Sequence, residues 1–147
     1  GGKFSVKKDK TVLVCITPQE SAKQLVKAGK VLADTHGAKL EVVSVLPVQE
    51  KDGQFKIETD IIEKLYQSAK SENGEMAVYF SDDPILTVCT NITKREPVTL
   101  VLGFPGEKSN NFISTIHLLL PDIPISLVDI PGTIYNILPY EAVQNTR

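Results

Sequence analysis

Val98-Thr99-Leu100-Val101-Leu102-Gly103-Phe104-Pro105-Gly106 is the stretch on which the fold turns. Its run of apolar and β-branched residues reads as a strand buried on both faces, as in a parallel sheet covered by helices. Gly103 and Gly106 break it, and a helical pattern follows. In open α/β sheets the loops at the carboxyl ends of strands line the ligand crevice, so strand, Gly-x-x-Gly, helix marks this loop as the first place to look for a site.

Working outward, Phe112, Ile113, Ile116, Leu119 and Leu120 keep helical spacing, and Pro121 and Pro124 flank a short connection. Ile125-Ser126-Leu127-Val128-Asp129-Ile130 reads as the last strand. Its clearer alternation marks one side as an edge or a subunit contact, and Pro131-Gly132 closes it. Toward the N-terminus, Asn73-Gly74 turns the chain into a strand over Met76 to Phe80. Asp83 and Pro84 then open a helix whose buried face is expected at Ile85, Leu86, Val88, Cys89 and Ile92. Ile61, Ile62, Leu65, Tyr66 and Ala69 mark another helix, and Pro47 to Glu58, with Asp52-Gly53, reads as a loop. Thr11 to Ile16 is the first strand. Thr17 is expected to cap the next helix, with Pro18 in its first turn and Glu20 completing a capping box. Ala22, Leu25, Val26, Gly29, Leu32 and Ala33 carry that helix to His36-Gly37, and Leu40 to Leu46 is the second strand. The order β-α-β-α-β-α-β-α-β predicts an α/β fold with a five-stranded, doubly wound parallel sheet.

The chain has 147 residues, enough for one domain with a sizeable core. Residues 1–10 read as a Lys-rich lead-in or linker, 11–130 as the globular domain, and 131–147 as a tail. Ile134, Tyr135, Ile137, Leu138 and Tyr140 make the tail too apolar for a free linker; it packs on its own subunit or reaches to a second. A net charge of -2 supplies no basic field for nucleic acid or an anionic membrane surface. The absence of Trp argues against a base-stacking surface. No apolar run is long enough to insert in a bilayer. Cys15 and Cys89 sit in apolar segments without C-x-x-C spacing, which predicts buried free thiols in a reducing, cytoplasmic setting and no metal site.

Three segments carry a resemblance. They are Leu13 to Pro18 with Ser21-Ala22-Lys23, the strand Val98 to Gly103, and Leu119-Leu120-Pro121-Asp122-Ile123-Pro124-Ile125. Together with the element order they resemble the universal stress protein family over Thr11 to Ile130, and within it the stress-protein-like domain of Kdp-type potassium-sensing histidine kinases. The resemblance implies a Rossmann-like, adenine-nucleotide-hydrolase-like sheet, often dimeric through the fifth strand, where Ile125, Leu127, Val128 and Ile130 lie. It also implies sensor-kinase or transporter partner domains. Nucleotide-binding members hold ATP between the loops after the first and fourth strands. Their pattern is an Asp near the end of the first strand and Gly-x2-Gly-x9-Gly-Ser/Thr after the fourth. Gly103 and Gly106 match its first two glycines, but Ile116-His117 stands where Gly-Ser/Thr is expected. The first strand ends in Cys15, Ile16 and Thr17 with no Asp.

The residues that would line a nucleotide site are therefore Ile16, Thr17 and Pro18 on one lip and Gly103, Phe104 and Gly106 on the other. Ser109, Asn110, Ser114 and Thr115 could supply hydroxyls and amides to phosphate. Pro105 lacks an N–H, the missing glycine removes a close backbone approach, and Glu20 sets a negative charge beside the first helix. His36 and His117 have no Ser, Cys or acidic neighbour suggesting a triad, and Asp82-Asp83 reads as a cap plus a surface charge. No acid, base and nucleophile set stands out. The expectation is a non-catalytic, cytoplasmic regulatory module with a degenerate nucleotide motif, acting through protein contacts as a homodimer and without a cofactor. The alternative is a nucleotide sensor for ATP, AMP or a cyclic dinucleotide through an altered loop.

Overall fold

A computed structural model describes residues 9–18, 21–104 and 110–139. In chain order the elements are β1 (Thr11–Cys15), α1 (Ala22–His36), β2 (Lys39–Leu46), β3 (Glu50–Lys51), β4 (Gln54–Phe55) and α2 (Thr59–Lys70). There follow β5 (Glu75–Phe80), α3 (Pro84–Arg95), β6 (Thr99–Gly103), α4 (Asn110–Leu119), β7 (Ile125–Val128) and β8 (Ile134–Ile137). The main sheet has the order β5-β2-β1-β6-β7-β8. Its first five members run parallel, and β8 lies antiparallel on β7.

The sheet is therefore six-stranded, not five-stranded. The expected strands are all present. The addition comes from the tail, because Pro131-Gly132 is a hairpin turn and not a terminator. Gly132 takes φ 97, a region open to glycine, and its N–H donates to Asp129 O at 2.9 Å. The chain then returns along β7 with Leu127 opposite Tyr135 and Ile125 opposite Ile137.

Alternation along the strands builds two cores. Val12, Val14 and Ile16 point to the face covered by α1 and α2, with Leu25, Val26, Val42, Leu65 and Ala69. Leu13, Val43, Leu100, Leu102 and Ile125 point to the other face, under Val88 and Ile92 of α3 and Ile116 of α4. Two expectations about helix faces need correction. Leu86 and Leu119 are 62% and 56% exposed. Leu86 is two residues from Val88, so it turns to the opposite side of a 3.6-residue helix. The place on the core side goes to Asn91, whose amide is satisfied by Thr87 O and the Tyr79 hydroxyl.

The Thr17 cap is also corrected. α1 begins at Ala22 behind Ser21, whose side chain makes no cap hydrogen bond. The Ile16 N–H still donates to Val43 O at 2.9 Å, so the sheet holds the chain one residue past β1. Thr17 and Pro18 become an exposed connection instead of a first turn. Glu20, proposed for the capping box, lies outside the described residues. The loop read over Pro47 to Glu58 folds in part into the β3–β4 hairpin, turned by Asp52 and Gly53 at positive φ.

Candidate functional site

From β1 the chain steps outward to β2 and β5, then returns to the other side of β1 as β6 and β7. The order reverses between β1 and β6, and a crevice outside the carboxyl ends of these strands is where such sheets take ligands. Cys15 ends β1 on the α3/α4 side. Burial pushes its thiol up to about 12, so it stays protonated and inert at neutral pH. Ile16 is core, 2% exposed. Neither residue offers a charged or hydrogen-bonding side chain of the kind a nucleoside needs.

The opposite lip is built on β6. Gly103 pairs with Val128, and its Cα faces Leu25 of α1. The Phe104 N–H donates to Val128 O at 2.7 Å, which fixes the backbone but leaves the ring half exposed. That ring meets Tyr135 edge-on, with centroids 5.2 Å apart. The Tyr135 hydroxyl donates to Asp129 Oδ2 at 3.1 Å, and Asp129 Oδ1 accepts the Thr133 N–H at 2.7 Å. The hydrogen bond to Asp129, then its negative charge, raises the Tyr135 pKa above the usual phenol value. This lip is thus an aromatic pair beside a carboxylate held at two oxygens.

Sequence reasoning pointed to the carboxyl ends of β1 and β6 and did not include Tyr135 or Asp129. The available signal was the alternation of Ile134, Tyr135 and Ile137 after Pro131-Gly132, which is a hairpin pattern. Of the expected lining residues, Gly103, Phe104 and the exposed Thr17 and Pro18 lie on segments leaving the ends of β6 and β1. Ser114 and Thr115 fall one turn inside α4, beyond its free first-turn amides. Asn110 opens α4, with its side chain outside the described residues, as are Gly106 and Ser109.

Of the four residues assigned to a subunit contact, Ile125, Leu127 and Val128 are buried inside this chain, since β8 occupies the free side of β7. Ile130 is 85% exposed. Asp83 caps α3 by accepting the Leu86 N–H at 3.0 Å. Half-buried His117 leaves Nδ1 without a hydrogen-bond partner among the described residues. No three His, Cys, Asp or Glu side chains converge as a metal site among the described residues. A groove of about 620 Å³ between α1 and α2 reaches the β1 lip at Pro18 and is otherwise lined by Lys23, Ile61, Lys64 and their neighbours. None of its lining residues comes from β6 or β7.

An open, mostly parallel α/β sheet with a switch-point crevice defines the class. Within that class the fold is that of the universal stress proteins. A universal stress protein from Burkholderia pseudomallei superposes with a TM-score of 0.60 at 13% identity, over 84% of this chain and 98% of its own. One from Archaeoglobus fulgidus, solved in complex with dAMP, gives 0.61 at 17% identity, over 82% and 98%. A further universal stress protein, in complex with cAMP, gives 0.62 at 15%, over 84% and 99%. No family model matches the chain. No curated protein matches it either. Among the described residues no helix is long and apolar enough to cross a membrane.

Proposed function

We propose that this chain is a non-catalytic regulatory module of universal stress type, acting through protein contacts and not through a bound nucleotide, in the manner of the domain carried by Kdp-type sensor kinases. The observation that carries this reading is the character of the crevice. One lip ends in a half-buried thiol that stays neutral and a core isoleucine. The other presents Phe104 against Tyr135, with the Asp129 carboxylate beside them. A carboxylate fixed by two donors opposes a phosphate chain, and the β1 end gives a ribose no carboxylate acceptor.

The second reading, a nucleotide sensor, is favoured by the likeness to the dAMP- and cAMP-bound proteins. A thermal-shift titration with ATP, AMP and cyclic di-adenylate separates the two. A ligand at 100 times its dissociation constant adds about 2.7 kcal/mol. For a chain of this size that is a rise of roughly 5–15 °C. The regulatory reading expects no rise with any of the three. A rise that Asp129→Asn enhances and Gly103→Val removes would overturn it and place the nucleotide at this crevice.

A further inference from the structure

α2 carries a lysine where its own pattern calls for an apolar residue. Ile61, Lys64, Leu65 and Ser68 stand at i, i+3, i+4 and i+7, the stripe that a helix turns toward its core. Leu65 and Ser68 are buried there, and the Ser68 hydroxyl donates to Lys64 O at 3.0 Å. Across from them α1 opens with Ala22, whose single methyl leaves space that a larger side chain would fill. The result is the groove of about 620 Å³ between the two helices, bordered at the β1 end by Pro18.

The lining divides by chemistry. Ala22, Ile61, Leu65 and the Pro18 ring are apolar, and none of the lining side chains is an aromatic ring on which a base could stack. Lys23 of α1 and Lys64 of α2 supply one cationic side chain from each wall. A lysine lays its stem along apolar surface and keeps its charge at the rim. Neither Lys23 nor Lys64 forms an ion pair among the described residues, whereas Lys30 pairs with Asp34 and Lys39 with Asp9. The neighbouring Glu63 carboxylate accepts instead from the Gln67 amide at 3.3 Å. The first turn of α1 contains no acidic residue, so the positive end of that helix adds to the same sign.

We infer that this groove binds a small aliphatic molecule ending in an anionic head, a carboxylate or a phosphate. The head sits between Lys23 and Lys64, and the chain lies over Ala22, Ile61 and Leu65. The volume falls in the range of small-molecule sites, about 300–1,000 Å³. Two lysines on a chain of net charge -2 make no polybasic surface for a membrane, so the ligand is a single molecule. The site stands apart from the reading of the crevice, because none of its lining comes from β6 or β7.

The test uses the full chain and four probes below their micelle concentrations: octanoate, decanoate, octyl phosphate and uncharged octanol. Binding is followed by the methyl signals of Ile61 and Leu65, which octanoate is expected to shift. Decanoate is expected to bind roughly 4- to 15-fold tighter, from about two- to fourfold per methylene taken from water. Lys23→Gln and Lys64→Gln are each expected to weaken octanoate about two- to fivefold and to leave octanol unchanged. Lys10→Gln, which precedes β1 at the opposite end of the sheet, is expected to change neither. Tighter octyl phosphate than octanoate assigns a phosphate head, and the reverse a carboxylate. Octanoate binding that is indifferent to the double lysine change would overturn the inference. So would the absence of methyl shifts with every anionic probe, or shifts as large at exposed Leu86, Leu118 and Ile130, which mark general adsorption.

Discussion

At the residue scale, Cys15 shows how burial alone sets chemistry. Its thiol is raised from an ordinary value of 9.0 to about 12 by desolvation. Because the folded pKa is the higher one, the native state keeps the proton while the unfolded state loses it. The stability contribution is fully present below pH 9 and is lost as pH rises toward 12. The slope is about 1.4 kcal/mol per pH unit inside that window. Comparing urea unfolding at pH 7.5 and 10.5, Cys15→Ala is expected to lose roughly 2 kcal/mol less stability than the wild type over the rise. Cys89 and Tyr135, also raised, titrate in both proteins and cancel in the comparison. Gly29 is a second residue where two effects compete. Alanine in a helix gains about 1 kcal/mol over glycine. Yet a Cβ there would overlap Val14 Cγ2 in the core. Overpacking costs about 1–3 kcal/mol, so Gly29→Ala is expected to destabilise by ~1 kcal/mol net, read as a lower urea midpoint. Asp83 was legible as a cap because its partner, the Leu86 N–H, is three residues away. Thr17 was misread because its conformation depends on a distant contact, Ile16 to Val43, which no local pattern announces.

At the element scale, five strands and four helices are visible as periodicity, since each buries a face whose spacing is written in the chain. β8 was not. Its residues were seen to be apolar, but whether such a segment folds back or reaches out depends on what the neighbouring strand offers. Part of that offer is a polar line through the sheet. Thr99 Oγ1 and Ser126 Oγ lie 2.7 Å apart, and Ser126 Oγ donates to Asn136 Oδ1 at 3.2 Å. Ser126→Ala is expected to cost about 1 kcal/mol, near the low end for a broken buried hydrogen bond. Thr99 keeps Pro124 O as an acceptor, and exposed Asn136 can turn to water. Denaturant titration gives the stability loss, and amide exchange should show it largest in β8. The candidate site shared this limit. Its location followed from the Gly103 loop, while its character came from Tyr135 and Asp129, brought beside Phe104 only by the returning strand.

At the scale of the whole molecule, one sheet joins two cores that share no side chain. Leu65 is buried on the α1/α2 face and Ile92 on the α3/α4 face. Every core strand presents residues to both, as β1 does with Val12 and Val14 on one side and Leu13 on the other. Neither core can melt without stripping the sheet that supports its partner, so the chain is expected to unfold in a single transition. Leu65→Ala should cost about 2–5 kcal/mol and Ile92→Val about 0.5–1.5 kcal/mol. Set against a total near 5–15 kcal/mol, their sum leaves a folded protein except at the lowest end of that range. Because the two side chains have no shared neighbours, the double variant is expected to lose the sum of the single losses to within about 0.5 kcal/mol. Urea titrations followed by far-ultraviolet circular dichroism and by methyl signals from each face provide the check. Coincident midpoints with additive losses mean that the sheet transmits stability between faces while side chains on one do not sense those on the other. Separate midpoints would mean that the helices on one face leave the sheet while the opposite face stays packed.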